Sequence, residues 1–319
     1  MKEQNTEVFE KARRFVYRNA RPLDLARWKY HFESGSSREV LTALAAYQNA
    51  DGGFGYGLEE DNMNPNSSPM QVWRATVVLR EMNNLCKTEP IITRILHYLE
   101  QTPEFDGKKW NNVIATNNDW PHAPWWSYSS VSDEQSTEEG RFCDWYNPTA
   151  SLAGFLLRYA NADSDIYKKA LTIVKEAIET LFRIDNPQDM HVIACLIQMC
   201  EDIAAAGLGE CFELERLTAH LQKLVAGMIT QDVTQWETSY ACKPSQFFCE
   251  KDSLFYQGNE NLAQYECEFI RKTQMPDGAY TVPWSWDAYP EEWAVSRNFW
   301  RAEITVNNMI YLDNMDGES

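Results

Sequence analysis

Three consecutive carboxylates stand in a stretch with few apolar residues. Residues 58–68 read LEEDNMNPNSS, so Glu59, Glu60 and Asp61 precede a run of amides and hydroxyls. At the mouth of a ligand cavity, Glu59 or Asp61 could act as a general acid or base, because burial raises a carboxyl pKa towards neutrality. Asn64 would then contact the ligand. The alternative is a solvated acidic loop whose Asn and Ser residues form turns and helix caps.

A second stretch with chemical potential is residues 120–126, which read WPHAPWW. The unperturbed pKa of histidine lies near neutrality, so His122 could assist proton transfer, and two prolines stiffen the chain around it. Trp125 and Trp126 can stack on a flat or apolar ligand, or stabilise a cation. Trp284 and Trp286 form a similar set near the end of the chain. The alternative is a packed loop with a hydrogen-bonded histidine.

Cysteine and histidine do not indicate a metal site. His191 and Cys195 share a helix face by their spacing, but they lie in the apolar run MHVIACLI, and zinc needs two further ligands. A core histidine beside a buried cysteine is the favoured interpretation. The eight cysteines are scattered without a CxxC pair, which predicts reduced, buried thiols. No phosphate loop or other cofactor motif is present, so we expect no metal and no cofactor.

The elements that would position these residues recur along the chain. Residues 48–55 read QNADGGFG and follow a predicted helix over Ser37–Tyr47 that Ser36 or Ser37 can cap. Asp-Gly-Gly then forces a turn, because glycine enters positive φ without steric cost. Residues 274–280, QMPDGAY, repeat the pattern, and a looser copy runs from Gln101 to Trp110. Gln48 and Gln101 lie roughly 50 positions apart, and recurrence at such a period indicates a repeat architecture.

A helix followed by Gln-x-x-Asp-Gly-x-aromatic resembles the repeat of the terpenoid cyclase and protein prenyltransferase superfamily. The resemblance implies an all-α fold, a single α/α toroid over residues 1–319, in which two concentric rings of helices surround a central cavity. It also implies that the glutamine and the aromatic residue fasten one helical hairpin to the next. We therefore expect Gln48 and Gln274 to bond backbone groups of a neighbouring hairpin, with Phe54 and Tyr280 packed beside them.

Several segments resemble a group of bacterial toroid proteins of unassigned function. This resemblance favours a functional acidic loop and adds Asn147 to the substrate-binding residues. The superfamily's catalytic motifs Asp-x-Asp-Asp, Asp-Asp-x-x-Asp and Asp-x-Cys are missing from this chain, which weighs against its known mechanisms. The segments are residues 26–33, 51–69, 121–126, 147–150 and 304–307.

Periodicity predicts the remaining helices and leaves two long irregular stretches. Asn186 is the expected cap of the helix that begins at residue 187. The irregular stretches cover residues 102–146 and 276–298. The predicted helices cover residues 6–20, a segment ending near 32, 69–83, 88–101, one starting at 147, 164–183, 187–206, 212–229, 260–273 and 300–312.

Composition excludes some classes of partner. The net charge is −18 over 319 residues, of which 44% are hydrophobic. Nucleic acids and anionic membrane surfaces need clustered Lys and Arg, so we expect neither as a partner. No apolar run is long enough for a membrane span, and no secretory signal stands at the N-terminus. These features predict a cytoplasmic protein; its oligomeric state stays open.

Three functions are compatible with these features. The favoured one is an enzyme of the terpenoid-cyclase/prenyltransferase type, with a Trp-lined cavity for an apolar or isoprenoid-like small molecule. The alternatives are a carbohydrate-active α/α barrel with paired carboxylates and a non-catalytic binding scaffold. In the favoured case, loops 56–68 and 119–128 meet at one mouth of the cavity.

Overall fold

The computed structural model describes residues 3–82, 85–130, 137–184 and 186–316. Within these ranges the regular structure is helical, and β-pairing is limited to isolated bridges. This confirms the predicted all-α class. The α-helices are α1 Glu3–Asn19, α2 Pro22–Phe32, α3 Ser37–Ala45, α4 Pro69–Arg80, α5 Pro90–Gln101, α6 Glu138–Tyr159, α7 Asp165–Ile184, α8 Met190–Ala205, α9 Leu214–Met228, α10 Glu260–Thr273 and α11 Pro290–Asp316.

The chain divides into two compact units. The first comprises Met1–Ala46 and Ile229–Ser319, and the second comprises Tyr47–Met228. In the first unit α11 packs against α1, α2 and α10; in the second, α6 packs against α4, α7 and α8. The closed ring of a toroid and a single domain over residues 1–319 stay predictions.

Local chemistry sets most helix starts. Ser36 and Ser68 cap α3 and α4 by accepting from backbone amides three residues ahead, and Pro69 occupies a first-turn position that needs no N–H. The predicted Asn186 cap is wrong. The Asp189 carboxylate accepts from the amides of His191 and Val192 instead, so α8 begins at Met190.

Two helices are longer than periodicity predicts. The α6 helix begins at Glu138, where Thr137 caps it, rather than at Asn147. Asn147 itself has non-helical φ and ψ at a kink that precedes Pro148. The α11 helix begins at Pro290 rather than Trp300. Its first turn carries two glutamates, whose negative charges interact favourably with the positive end of the helix dipole.

Close helix packing forms the core of the second unit. A β-carbon on Gly154 of α6 would lie 2.7 Å from the Cα of Met199 in α8, so only glycine permits this approach. Beside it, fully buried Asp202 accepts from Arg80 of α4 at 2.6 Å and from Arg158 of α6 at 3.3 Å. This ion network ties three helices together.

The repeated motif is a structural clamp in both units. In the second unit, Gln48 Nε2 donates to the carbonyls of Gly52 at 3.0 Å and of Ile91 in α5 at 3.2 Å. In the first, Gln274 Nε2 donates to Gly278 O at 3.1 Å and to Val8 O in α1 at 2.8 Å. This confirms the predicted role of both glutamines. We call each arrangement a glutamine clamp, formed by residues 48–54 or 274–280 and the helix it binds.

Both clamps bring a glycine against the helix backbone. A β-carbon on Gly52 would lie 2.2 Å from Arg94 O, and one on Gly278 would lie 2.1 Å from Lys11 O. Each contacted residue follows the glutamine's helix partner by three positions, so the two clamps are equivalent. In the looser third copy, Gly107 has no neighbour within 4 Å of such an atom. This copy keeps the turn without the contact.

Candidate functional site

Asparagines shape the loop over residues 56–68. Tyr56 N donates to Asn64 O at 2.9 Å and closes the loop. Inside it, the side-chain oxygens of Asn62 and Asn64 accept from backbone amides two residues ahead, at 3.1 and 3.0 Å. Such bonds are typical of Asx turns. The turn-forming role expected for these amides is therefore correct.

The three acids of this loop are buried, so the solvated-loop interpretation is wrong. Glu59 is 6% exposed, and Glu60 and Asp61 are less exposed still. Arg74 of α4, also buried, places Nη2 3.6 Å from Glu60 Oε1. Three carboxyl groups are thus buried near one guanidinium. Three negative charges there would exceed the single positive charge of Arg74.

The pKa of Glu59 shows the effect of this crowding. Burial, and then the charges of Asp61 and Glu60, raise its pKa well above the ordinary value, while Arg74 opposes the rise in part. Its Oε2 atom is buried and has no hydrogen-bond partner among the residues that the structure describes. A raised pKa favours the protonated carboxylic acid, which can donate its proton to a bound molecule.

The loop over residues 111–128 packs directly onto the acidic loop. Met63 N donates to Pro121 O at 3.0 Å, and Ala123 N donates to Asp61 O at 2.8 Å. Asn62 and His122 form an isolated antiparallel bridge between these bonds. The predicted contact between loops 56–68 and 119–128 is confirmed, while their place at the mouth of a central cavity stays a prediction.

Two residues that the sequence analysis did not single out hold this junction together. Buried Asn117 accepts from the amides of Asn62 and Asn64 at 3.1 and 3.0 Å, and donates to Trp126 O at 3.0 Å. Gln71 of α4 accepts from Glu59 N at 2.6 Å and donates to Asn62 O at 3.0 Å. A glutamine inside the apolar start of α4 was the available signal for the second one.

His122 is buried and both of its ring nitrogens have partners. Nδ1 lies 2.6 Å from Trp120 O and Nε2 lies 3.0 Å from Ser127 Oγ. Because a carbonyl only accepts, Nδ1 carries a proton and donates it to Trp120 O, while Nε2 shares a hydrogen bond with the serine hydroxyl. This geometry holds the loop in shape, as the packed-loop alternative requires.

The tryptophans of this loop face different surroundings. Trp125 is 47% exposed, and Trp120 and Tyr128 are also exposed, so three aromatic rings reach solvent from one loop. Trp126 is partly buried, and its Nε1 atom is buried without an acceptor among the described residues. The loop therefore presents aromatic surface to solvent and keeps one indole N–H in its interior.

The remaining predicted binding residues lie elsewhere in the fold. In the first unit Trp284 makes edge contacts with Tyr240 and Trp300, with ring centroids 5.3 and 5.0 Å apart. Trp286 there is buried and lies 5.6 Å from Trp293.

Asn147, His191 and Cys195 belong to the interior and rim of the second unit. Cys195 is buried and donates from Sγ to Asn147 Oδ1 at 3.7 Å. The core-histidine interpretation is wrong, because His191 is exposed beside Asp189. The expectation of buried thiols also fails for the exposed Cys86, Cys211 and Cys249, although all eight cysteines are free.

Three further features bear on function: metal ligands, membrane-spanning helices and cavities. No three His, Cys, Asp or Glu side chains in residues 3–82, 85–130, 137–184 and 186–316 are grouped as metal ligands. None of the helices described is both long and apolar enough to cross a membrane. Cavities of about 400 and 280 Å³ lie against Arg14 and Arg216, and no residue of the acidic loop lines either of them.

Comparison with known proteins gives no identification. The chain matches no protein-family model and no curated protein sequence. The function must therefore be argued from the site itself.

Proposed function

We propose that the protein is an enzyme that protonates a small molecule at the junction of loops 56–68 and 111–128, with Glu59 as the acid. The observation that carries the proposal is the state of this side chain. It is 6% exposed, its pKa lies well above the ordinary value, and Oε2 has no hydrogen-bond partner among the described residues. Raised carboxyl pKa values of this kind are concentrated at functional sites.

The surroundings of Glu59 fit a donor that must recover its proton. Asp61 and Glu60 favour the neutral acid before transfer. After transfer the proton bonds to the substrate and the carboxylate keeps the electron pair of the broken O–H bond. Arg74 and a backbone hydrogen bond from Asp61 both favour this charged form. Water then returns a proton when the product leaves.

The substrate class follows from the aromatic surface and from the resemblance of the repeats. Trp125 offers an exposed indole face, and the buried N–H of Trp126 has no acceptor among the described residues, so it could bond a ligand that enters the loop. Such groups suit an apolar or isoprenoid-like molecule with one polar end. In this proposal His122 positions the loop, since its ring nitrogens are already occupied.

A binding and turnover assay with farnesol, a neutral isoprenoid alcohol, tests the proposal. We expect saturable quenching of tryptophan fluorescence, weakened by Trp125→Ala but not by Trp145→Ala at another exposed indole. Mass spectrometry should detect a rearranged or hydrated product that Glu59→Gln abolishes. Glu100→Gln, at an exposed carboxylate, should leave product formation unchanged. Equal product from the Glu59→Gln variant would contradict the assignment of the acid.

A second candidate function is supported by the exposed rings. Trp120, Trp125 and Tyr128 form an aromatic surface on one loop, and flat rings stack on sugars as well as on apolar ligands. In that case maltohexaose would bind in a Trp125-dependent manner and farnesol would not. If neither probe binds, the enzyme proposal fails and the buried carboxyls serve only the fold.

A further inference from the structure

The first unit contains a cavity of about 400 Å³ between α1 and the clamp loop. Its walls carry two guanidinium groups on a protein whose net charge is −18. Such a local reversal of charge needs a physical account. The lining residues are Arg14, Phe15, Arg18, Asn19, Pro276 and Asp277.

The clamp at residues 274–280 builds this cavity. Gln274 bonds Val8 O, and Gly278 approaches Lys11 O so closely that no side chain fits between them. The clamp therefore fixes Pro276 and Asp277 beside the next turns of α1, where Arg14 and Arg18 lie one turn apart on the same face. Phe15 is buried between these turns and closes the floor.

The charges in the cavity are unbalanced. Arg301 of α11 donates to Asp277 Oδ2 at 2.6 Å and lies over the Phe15 ring, so the only lining carboxylate already has a cation. Neither Arg14 nor Arg18 makes a hydrogen bond or ion pair with the residues that the structure describes. Arg14 interacts electrostatically with Glu7, but both exposed guanidinium groups keep their hydrogen-bond donors available to a ligand.

The second clamp acts as an internal comparison. Aligning Val8 with Ile91 and Lys11 with Arg94 places His97 opposite Arg14 and Gln101 opposite Arg18. Tyr98 stands opposite Phe15 and is likewise buried. The clamp at residues 48–54 thus forms without arginine at either position. The two exposed arginines are therefore not required for the clamp.

We propose that the cavity between α1 and residues 276–277 binds an anionic small molecule through a phosphate or carboxylate group held by Arg14 and Arg18. Two guanidinium groups one helical turn apart can each donate to a different oxygen of such a group, as arginine does in anion sites generally. The open side of the cavity leaves room for the rest of the ligand. This site lies in the first unit and does not depend on the proposed acid chemistry of Glu59.

Titration calorimetry on the full chain tests the site with inorganic phosphate and, separately, with succinate. Binding of either probe by the unaltered protein supports the site, and the tighter probe identifies the anionic group. Arg14→Gln and Arg18→Gln should each weaken binding about tenfold, because each removes a charge-assisted hydrogen bond. The matched control is Arg38→Gln, which removes an equal charge from an exposed position of α3 in the same unit.

The outcomes are distinct. Loss of binding in both cavity variants, with melting temperature unchanged and Arg38→Gln unaffected, supports the proposal. Binding should also weaken as sodium chloride rises, since exposed charges are screened. If neither anion binds to the unaltered protein, or if Arg38→Gln weakens binding as much as Arg14→Gln, the site does not exist. Product formation from farnesol plays no part in these readouts, so the two proposals can fail separately.

Discussion

The side-chain amide of Gln274 donates to the backbone carbonyl of Val8 at 2.8 Å, although 266 positions separate the two residues in the chain. The clamp near the end of the chain thereby fastens the first helix. Gln48 and Ile91 repeat the relationship within the second unit. The same short motif thus binds a helix in both units. In each, a turn places a glutamine amide and a glycine against the helix backbone.

Removing the clamp glutamines should lower stability. We expect Gln48→Ala and Gln274→Ala each to reduce the free energy of unfolding by about 1 kcal/mol or somewhat more, because part-buried carbonyls lose a donor. Urea denaturation followed by circular dichroism measures this. Gln101→Ala is the matched control, since Gln101 stands in the degenerate copy and is exposed. Unchanged unfolding in the two clamp variants would refute the structural role.

Alanine at a clamp glycine should destabilise the protein more than alanine at a turn glycine that makes no contact with a helix. Gly52 and Gly107 have nearly the same positive φ, +92° and +96°, so both substitutions carry a similar backbone penalty of about 1–2 kcal/mol. Only at Gly52 does the new methyl group meet Arg94 O. We expect Gly52→Ala to lose about 1–3 kcal/mol more than Gly107→Ala. Equal losses in thermal or urea unfolding would show that the contact is unimportant.

Glu59→Gln should change how stability depends on pH. The pKa of Glu59 is raised on folding, so between its ordinary value of 4.5 and its folded value the native state binds more protons than the unfolded chain. Stability from this group is therefore present at low pH and falls as pH rises through that window. Each unit of pKa elevation amounts to about 1.4 kcal/mol.

The comparison needs unfolding curves at two pH values. At pH 4 the variant and the unaltered protein should have similar stability, because glutamine resembles a protonated glutamate. At pH 8 the variant should be the more stable of the two. The exposed control Glu100→Gln should show no such divergence. A variant that is less stable than the unaltered protein at pH 8 would mean that folding does not raise the pKa of Glu59.

Asp202→Asn should be among the most destabilising single substitutions of the second unit. It leaves Arg80, which is nearly buried, without its anion at the junction of three helices. Breaking a buried pair in this way costs about 3–5 kcal/mol, with the lower value expected here because Arg158 still reaches solvent. Glu138→Gln, which breaks the exposed pair with Arg183, should cost under about 1 kcal/mol in the same unfolding assay.

The fold class and the clamps could be predicted from sequence because their causes are local. Apolar spacing defines helices such as α5 and α10, and the Asp-Gly pair specifies a turn, whereas the bonding role of the clamp glutamines was expected from the resemblance of the repeats. Helix starts were less predictable. Asn186 and Asp189 are both acceptable caps by residue type, and the structure uses Asp189. The first turns of α11 were assigned to an irregular stretch because the aromatic residues around Trp293 do not follow helical periodicity.

The sequence by itself determined which groups the acidic loop carries, and that asparagines would shape it. The tertiary structure decided that Glu59, Glu60 and Asp61 are buried rather than solvated, because residues 111–128 cover the loop and α4 supplies Gln71 and Arg74. It also placed His191 at the surface, and it placed the exposed Arg14 and Arg18 along the wall of an open cavity. Turns and helices follow from bonds within a few residues, whereas burial and pKa depend on segments that are distant in the chain and pack against the group.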